Sequence, residues 1–166
     1  MFQPLTRRSF TWMAAASPLA LAACARKAAP PDPPPVDLLV ESNGDLLEFA
    51  PKELTCHAGD KVRLTFRHTG KYVNFEHNWV LIMPGSFDEI TAAATAAGEA
   101  GGWLPASDPR MLAFTPMCGR GQVAMTRFSA PKAGDYLFIC TFPGHAQSMW
   151  GVLHVLPALP DPDSIT

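Results

Sequence analysis

Cys140-Thr141-Phe142-Pro143-Gly144-His145-Ala146-Gln147-Ser148-Met149 puts a thiol, an imidazole and a thioether on one short stretch, and runs with strand character flank it, Asp135–Cys140 and Gly151–Leu156. Pro143-Gly144 breaks any helix there, so the stretch reads as a loop between two strands. Moving outward, Asp37–Ser42, Leu47–Phe49, Lys61–His68, Asn78–Met83 and Gln122–Ser129 are further strand candidates. In Lys61-Val62-Arg63-Leu64-Thr65-Phe66 the apolar side chains fall on every second position, as a sheet with one buried face requires. Ala58-Gly59-Asp60 and Pro131-Lys132-Ala133-Gly134-Asp135 supply turns. Ser86-Phe87-Asp88-Glu89 has the form of a capping box ahead of an Ala-rich stretch ending at Gly98, which predicts one helix and a Gly-rich loop (Gly98–Gly102) inserted between two strands. The fold class is all-β, a β-sandwich with one short helical insertion.

Composition agrees. The 166 residues suit one ordinary domain with a short appendage. At 48% hydrophobic and 17% charged the chain is too apolar for a disordered tail, and 17 Pro with 12 Gly argue against a helical bundle. A formal charge of −2 with no Lys/Arg run excludes nucleic acid as a partner.

The donor set of the loop is soft. Thiolate and thioether favour Cu(I), imidazole also suits Cu(II), and a trigonal His₂Cys site with a long axial Met is an electron-transfer arrangement. The missing imidazole is His77, which opens His77-Asn78-Trp79-Val80-Leu81, a strand whose start can lie beside the loop. A thiol nucleophile pairing Cys140 with His145 leaves Met149 and His77 without a use. A structural zinc site would show a C-x₂-C pair, which is absent. A copper oxidase or reductase needs a second histidine cluster, and His57, His68 and His154 form no His-x-His pair. Copper storage or delivery shares the soft ligands, although such sites tend toward loose Met/His clusters and not a single Cys between two His.

These two motifs resemble the azurin-like members of the plastocyanin/azurin family, the blue-copper cupredoxins. Cys140, four residues, His145, three residues, Met149 is the azurin form; plastocyanins usually place the Met one residue later, and the dinuclear centre of cytochrome oxidase needs a second Cys on the loop. The resemblance covers roughly residues 36–157. It implies an eight-stranded Greek-key sandwich that binds one copper ion and shuttles one electron without catalysing a reaction, between redox partners such as c-type cytochromes or an oxidase or reductase, as a monomer. It implies His77, Cys140, His145 and Met149 as metal ligands, Asn78 with Thr141 as the pair that holds the ligand loop, Trp79 as core, and a place near the metal for His68-Thr69-Gly70. Azurins carry Gly before the first His ligand, where its carbonyl approaches copper; Glu76 stands there in this chain, a departure that bears on that weak contact. Azurins also have a disulfide to which Cys56 matches one partner, but the N-terminal strand has no Cys. Cys56 and Cys118 are expected at opposite ends of the sandwich and therefore reduced. Phe142, Met149 and Trp150, with Met83, Pro84 and Met117 from strand ends, are expected to form an uncharged patch around His145.

Residues 1–23 read as a twin-arginine export signal, with Arg7-Arg8 before an Ala-rich run too short to span a bilayer. Leu21-Ala22-Ala23-Cys24 resembles a lipoprotein cleavage box, which makes Cys24 the acylated mature N-terminus. Residues 24–35, containing Pro30-Pro31-Asp32-Pro33-Pro34-Pro35, form an extended tether. Residues 158–166 are a tail. This order predicts a domain anchored by lipid on the periplasmic side of a bacterial envelope.

Overall fold

The computed structural model describes residues 34–72, 75–105 and 107–160. The expected signal segment, Cys24 and most of the tether lie outside the described residues. Strands β1 (Val36–Ser42), β2 (Phe49–Ala50), β3 (Glu53–His57), β4 (Lys61–Arg67) and β5 (Val80–Ile82) precede helix α1 (Phe87–Ala97) and a 3₁₀ turn at Glu99–Gly101, and β6 (Met111–Phe114), β7 (Val123–Ser129), β8 (Gly134–Ile139) and β9 (Trp150–Leu156) follow. They form two sheets, ordered β2-β1-β4-β7 and β3-β9-β8-β5-β6. This is the expected all-β sandwich with a helical insertion, with nine strands among the described residues where the resemblance implies eight. β3 and β6 go beyond the strands read from sequence. Only Leu54 and Cys56 are buried in β3 and only Ala113 in β6, so the apolar signal in each is weak.

Alternation explains the core. Val62, Leu64 and Phe66 of β4 point inward while Lys61 and Arg67 face solvent. Phe49 meets Phe66 and Phe138 edge to face at 5.9 and 5.3 Å, and Trp79 lies against Phe128 and Phe138 at 6.0 and 5.7 Å, so aromatic rings from both sheets fill the middle. Trp79 is the core residue the resemblance implies; its indole N–H is buried without a partner. β5 is buried on both faces, which is why Trp79-Val80-Leu81-Ile82 reads as a continuous apolar run. Leu81 joins the central core, whereas Val80 and Ile82 pack with Ile139 and Ala146 beneath Ile90 of α1.

The capping box does not form. Ser86 is buried, and its hydroxyl donates to the Met83 carbonyl at 2.6 Å, closing the turn into the helix without capping it. Asp88 and Glu89 still favour the N-terminal dipole, and Gly98, at φ 64°, ends the helix in a conformation that suits glycine.

Two registers bring one end of the sandwich together. β8 pairs with β9 antiparallel up to Ile139 opposite Trp150, so the segment between them is a hairpin loop at that end. β5 pairs with β8 through Val80 opposite Ile139, so the residues before Val80 reach the same end as Cys140.

Gly151, opposite Phe138, is buried, and a Cβ there would lie 2.2 Å from the Phe138 ring and 2.4 Å from the Lys52 carbonyl. Overpacking of this kind costs roughly 1–3 kcal/mol, occasionally more. Gly151→Ala should therefore lower the unfolding free energy by at least the upper part of that range, read in a denaturant titration as an earlier midpoint; an unchanged midpoint would contradict the packing described.

Candidate metal centre

Cys140 directly follows β8 and has no exposed surface. Its N–H donates to the Met149 carbonyl at 3.0 Å, which closes the base of the loop. Inside the loop the His145 N–H donates to the Phe142 carbonyl (3.0 Å), and the His145 carbonyl accepts from Ser148 and Met149 (3.0 and 2.8 Å). Gly144, at φ 79°, makes the turn that aims His145 back toward Cys140. Met149, the fourth expected ligand, is fully buried and joined through its backbone to both residues.

His77 and Asn78 sit ahead of β5, short of the predicted strand start, because their hydrogen bonds go elsewhere. His77 exchanges backbone bonds with Cys118 (3.0 and 2.7 Å), and the Trp79 N–H donates to the Thr115 hydroxyl at 3.0 Å. The Asn78 amide donates to the Thr141 hydroxyl at 2.8 Å, and its carbonyl oxygen accepts the Thr141 N–H at 2.9 Å. This reciprocal pair locks the start of β5 to the ligand loop.

The outcome is a small triangle. His77 Nδ1 and His145 Nδ1 are 3.1 Å apart, and the Cys140 sulfur lies 3.8 and 3.7 Å from them. The point equidistant from three such corners is about 2.1 Å from each, against about 2.0–2.1 Å for imidazole and roughly 2.3 Å for thiolate bonds to a first-row ion. Three donors converge on a space that fits one metal ion.

Burial dominates the electrostatics. It pushes the Cys140 thiol up to about 12, partly opposed by the backbone N–H groups of Asn78 and Phe142, which favour the thiolate. It lowers His77 to about 3, helped by His68 and His145, and lowers His145 as well. Both imidazoles are therefore neutral with lone pairs free to bind, and a cation would replace the Cys140 proton. Soft sulfur, two neutral imidazoles and exclusion of water fit copper.

The remaining expected residues fall as follows. His68 is buried and stacked on His77 at 4.7 Å; its Nδ1 accepts the Gly70 N–H (3.1 Å), which leaves Nε2 to donate to the Phe75 carbonyl (2.9 Å). Gly70 is required by this contact, since a Cβ would lie 2.7 Å from the His68 ring. Among the described residues only Trp103 and Ser107 combine a side chain with positive φ, so Glu76 adopts no glycine-type conformation. Cys56 and Cys118 are free, buried thiols, both raised chiefly by burial. Cys118 pairs with His77 near the donors, and Cys56 with Val155 on β9.

Two aromatic residues near the site escaped the sequence reading. Phe75 is 41% exposed and sets its ring edge on His145 at 5.2 Å, while Trp103 meets Phe142 at 5.9 Å. Phe142 in turn lies 4.5 Å from His145. Met83, by contrast, follows β5 six residues after His77, roughly 20 Å along extended chain. Trp150 is half exposed beside Ala146, Gln147 and Phe87.

The lowered His77 gives a pH dependence. Above the ordinary value of 6.5 the folded and unfolded imidazoles are both neutral; below it the unfolded chain takes up a proton that the folded chain refuses until about pH 3, so stability falls as pH falls through that window. The metal-free protein should lose stability from about pH 7 to about pH 4, and His77→Gln should flatten the fall. Parallel pH profiles for the two proteins would contradict a buried neutral His77.

Residues 36–156 match the model of a family described as copper binding proteins, plastocyanin/azurin family. Auracyanin-A of Chloroflexus aurantiacus is 37% identical over 123 residues, covering 73% of this chain and 75% of its own. Azurin of Bordetella pertussis is 34% identical over 118 residues, covering 68% and 79%. The solved structure of auracyanin A, described as a "blue" copper protein, superposes with a TM-score of 0.67 at 36% identity over 74% of this chain and 99% of that one. With the His77, Cys140 and His145 donors brought together at one end of a two-sheet sandwich, the chain belongs to the plastocyanin/azurin family of copper-binding proteins.

Proposed function

We propose that this protein is a one-electron carrier that would hold a single copper ion through His77, Cys140 and His145, with the Met149 thioether and the Glu76 carbonyl as weaker contacts. The observation that carries this reading is the burial of the donors: His77, Cys140, His145 and Met149 are at most 4% exposed. A catalytic metal site keeps an open position for substrate. Here the rings of Phe75 and Phe142 lie against His145, which leaves electron passage through the ring edge as the use of the site. When bound, copper supplies a centre that alternates between Cu(I) and Cu(II). The chain's own contribution is to hold the donors in one geometry for both states: Asn78 and Thr141 fix the loop, and the Asn78 and Phe142 N–H groups direct dipoles at the Cys140 sulfur. The exposed apolar surface of Phe75 beside His145 suits brief docking with a redox protein such as a c-type cytochrome, because small interfaces release quickly.

The domain boundaries follow the same reading: residues 1–23 an export signal, 24–35 a lipid-anchored tether beginning at Cys24, 36–157 the copper domain, 158–166 a tail. Among the described residues no helix is long and apolar enough to cross a membrane. In this reading a lipid on Cys24 attaches the domain at the periplasmic side of the envelope.

Cu(II) added to the purified protein should give intense visible charge-transfer absorption that reduction bleaches and reoxidation restores, and Cys140→Ser should abolish it. Phe75→Lys should keep the spectrum while slowing electron self-exchange about tenfold or more, since two like charges would meet at the docking surface. A colourless Cu(II) protein, or colour that survives Cys140→Ser, would refute the copper assignment. For the tether, the wild-type protein should sediment with membranes and Cys24→Ala should not; wild type found wholly in the soluble fraction would remove the anchor.

A further inference from the structure

The helical insertion reaches the residues that directly follow Cys140 through Trp103. After α1 and the 3₁₀ turn, Gly102 and Trp103 both take positive φ, 63° and 54°. Glycine does so freely, whereas a bulky aromatic residue rarely does. Something must hold Trp103 there, and its backbone is bound on both sides. Its N–H donates to the Gly98 carbonyl at 3.0 Å, and its carbonyl accepts from the Thr141 hydroxyl at 2.7 Å. The Thr141 hydroxyl is the one that receives the Asn78 amide, so Trp103 is the final acceptor of a chain running from Asn78 through Thr141. The indole makes a second contact, meeting the Phe142 ring at 62° and 5.9 Å. Thr141 and Phe142 are the two residues that follow Cys140.

We propose that Trp103 is a positioning residue for the metal centre: its left-handed backbone and its indole together clamp Thr141 and Phe142, so the Cys140 side of the site is held from the insertion as well as from the five-stranded sheet. The consequence for function rests on the electron-carrier reading. Phe142 lies two residues after Cys140, and its backbone N–H favours the charged form of the sulfur. A donor aimed at the sulfur favours the reduced site, which carries one more unit of negative charge than the oxidised one. Loosening Phe142 weakens that donor and disfavours reduction. Ring and carbonyl act on neighbouring residues, so a change at Trp103 reaches the site through Thr141 and Phe142 without touching a ligand.

The test compares wild type, Trp103→Ala, Trp103→Phe and Thr141→Val in two measurements. Amide hydrogen exchange of the metal-free proteins should show Thr141 and Phe142 exchanging about tenfold faster in Trp103→Ala and Thr141→Val, with β1 and β4 amides unchanged. Trp103→Phe should recover most of the protection, because it keeps the ring contact. In the copper-loaded proteins, Trp103→Ala should lower the midpoint potential by up to a tenfold shift toward the oxidised form, about 59 mV for one electron, with Trp103→Phe between it and wild type. Exchange and potential both equal to wild type in Trp103→Ala would overturn the clamp. So would faster exchange spread evenly over all strands, which marks a merely structural residue. If wild type takes up no copper, the carrier reading fails, while the metal-free exchange data still decide the clamp.

Discussion

The side chain of Asn78 is the joint on which the site depends. Its two hydrogen bonds to Thr141 tie the segment ahead of β5 to the loop after β8, and so hold His77 in place relative to Cys140 and His145. Asn78 has no exposed surface, so a lost bond there could not be replaced by water and would cost about 1–3 kcal/mol for each stranded group. The rest of the architecture supplies what this joint needs. The β5–β8 pairing sets the height at which Asn78 meets Thr141, and the aromatic core keeps the two sheets from shifting beneath it.

The same end of the molecule is where burial is least favourable for polar groups. Two thiols (Cys118 and Cys140), three histidines, an asparagine and two threonines (Thr115 and Thr141) are buried there. His68 and Asn78 have hydrogen-bond partners for their polar atoms, but the donors of His77, Cys140 and His145 face chiefly one another. Such an arrangement is costly when empty and relieved when a cation binds. It explains why desolvation raises the thiol and lowers the imidazoles at once: each group is driven to its neutral form, and the ion supplies the missing charge.

The legible parts of the sequence were those with a strong local pattern. The alternation of Lys61–Phe66 and the spacing of Cys140, His145 and Met149 led to the sandwich and the donors because period and spacing survive without tertiary knowledge. Other features depended on contacts between distant segments. Ser86 looked like a helix cap, yet its hydroxyl turned back to Met83. β3 is fixed by its parallel pairing with β9, and β6 by its pairing with β5, more than by its own apolar content. Phe75 and Trp103 carry no motif: one is positioned by the His68 contact to its carbonyl, the other by the Thr141 hydroxyl from 38 residues away. Met83 was misplaced because a strand candidate says where residues alternate, not which end of the sheet each one reaches.

The fold prepares the donor triangle before any metal arrives. Crystal structures of the metal-free and the copper-loaded protein test this most directly. The separations of 3.1, 3.8 and 3.7 Å among His77 Nδ1, His145 Nδ1 and the Cys140 sulfur should agree between the two within a few tenths of an ångström, with the Asn78–Thr141 bonds intact in both. A metal-free structure in which Cys140 or His145 has swung out of the triangle and the Asn78–Thr141 bonds have opened would contradict it.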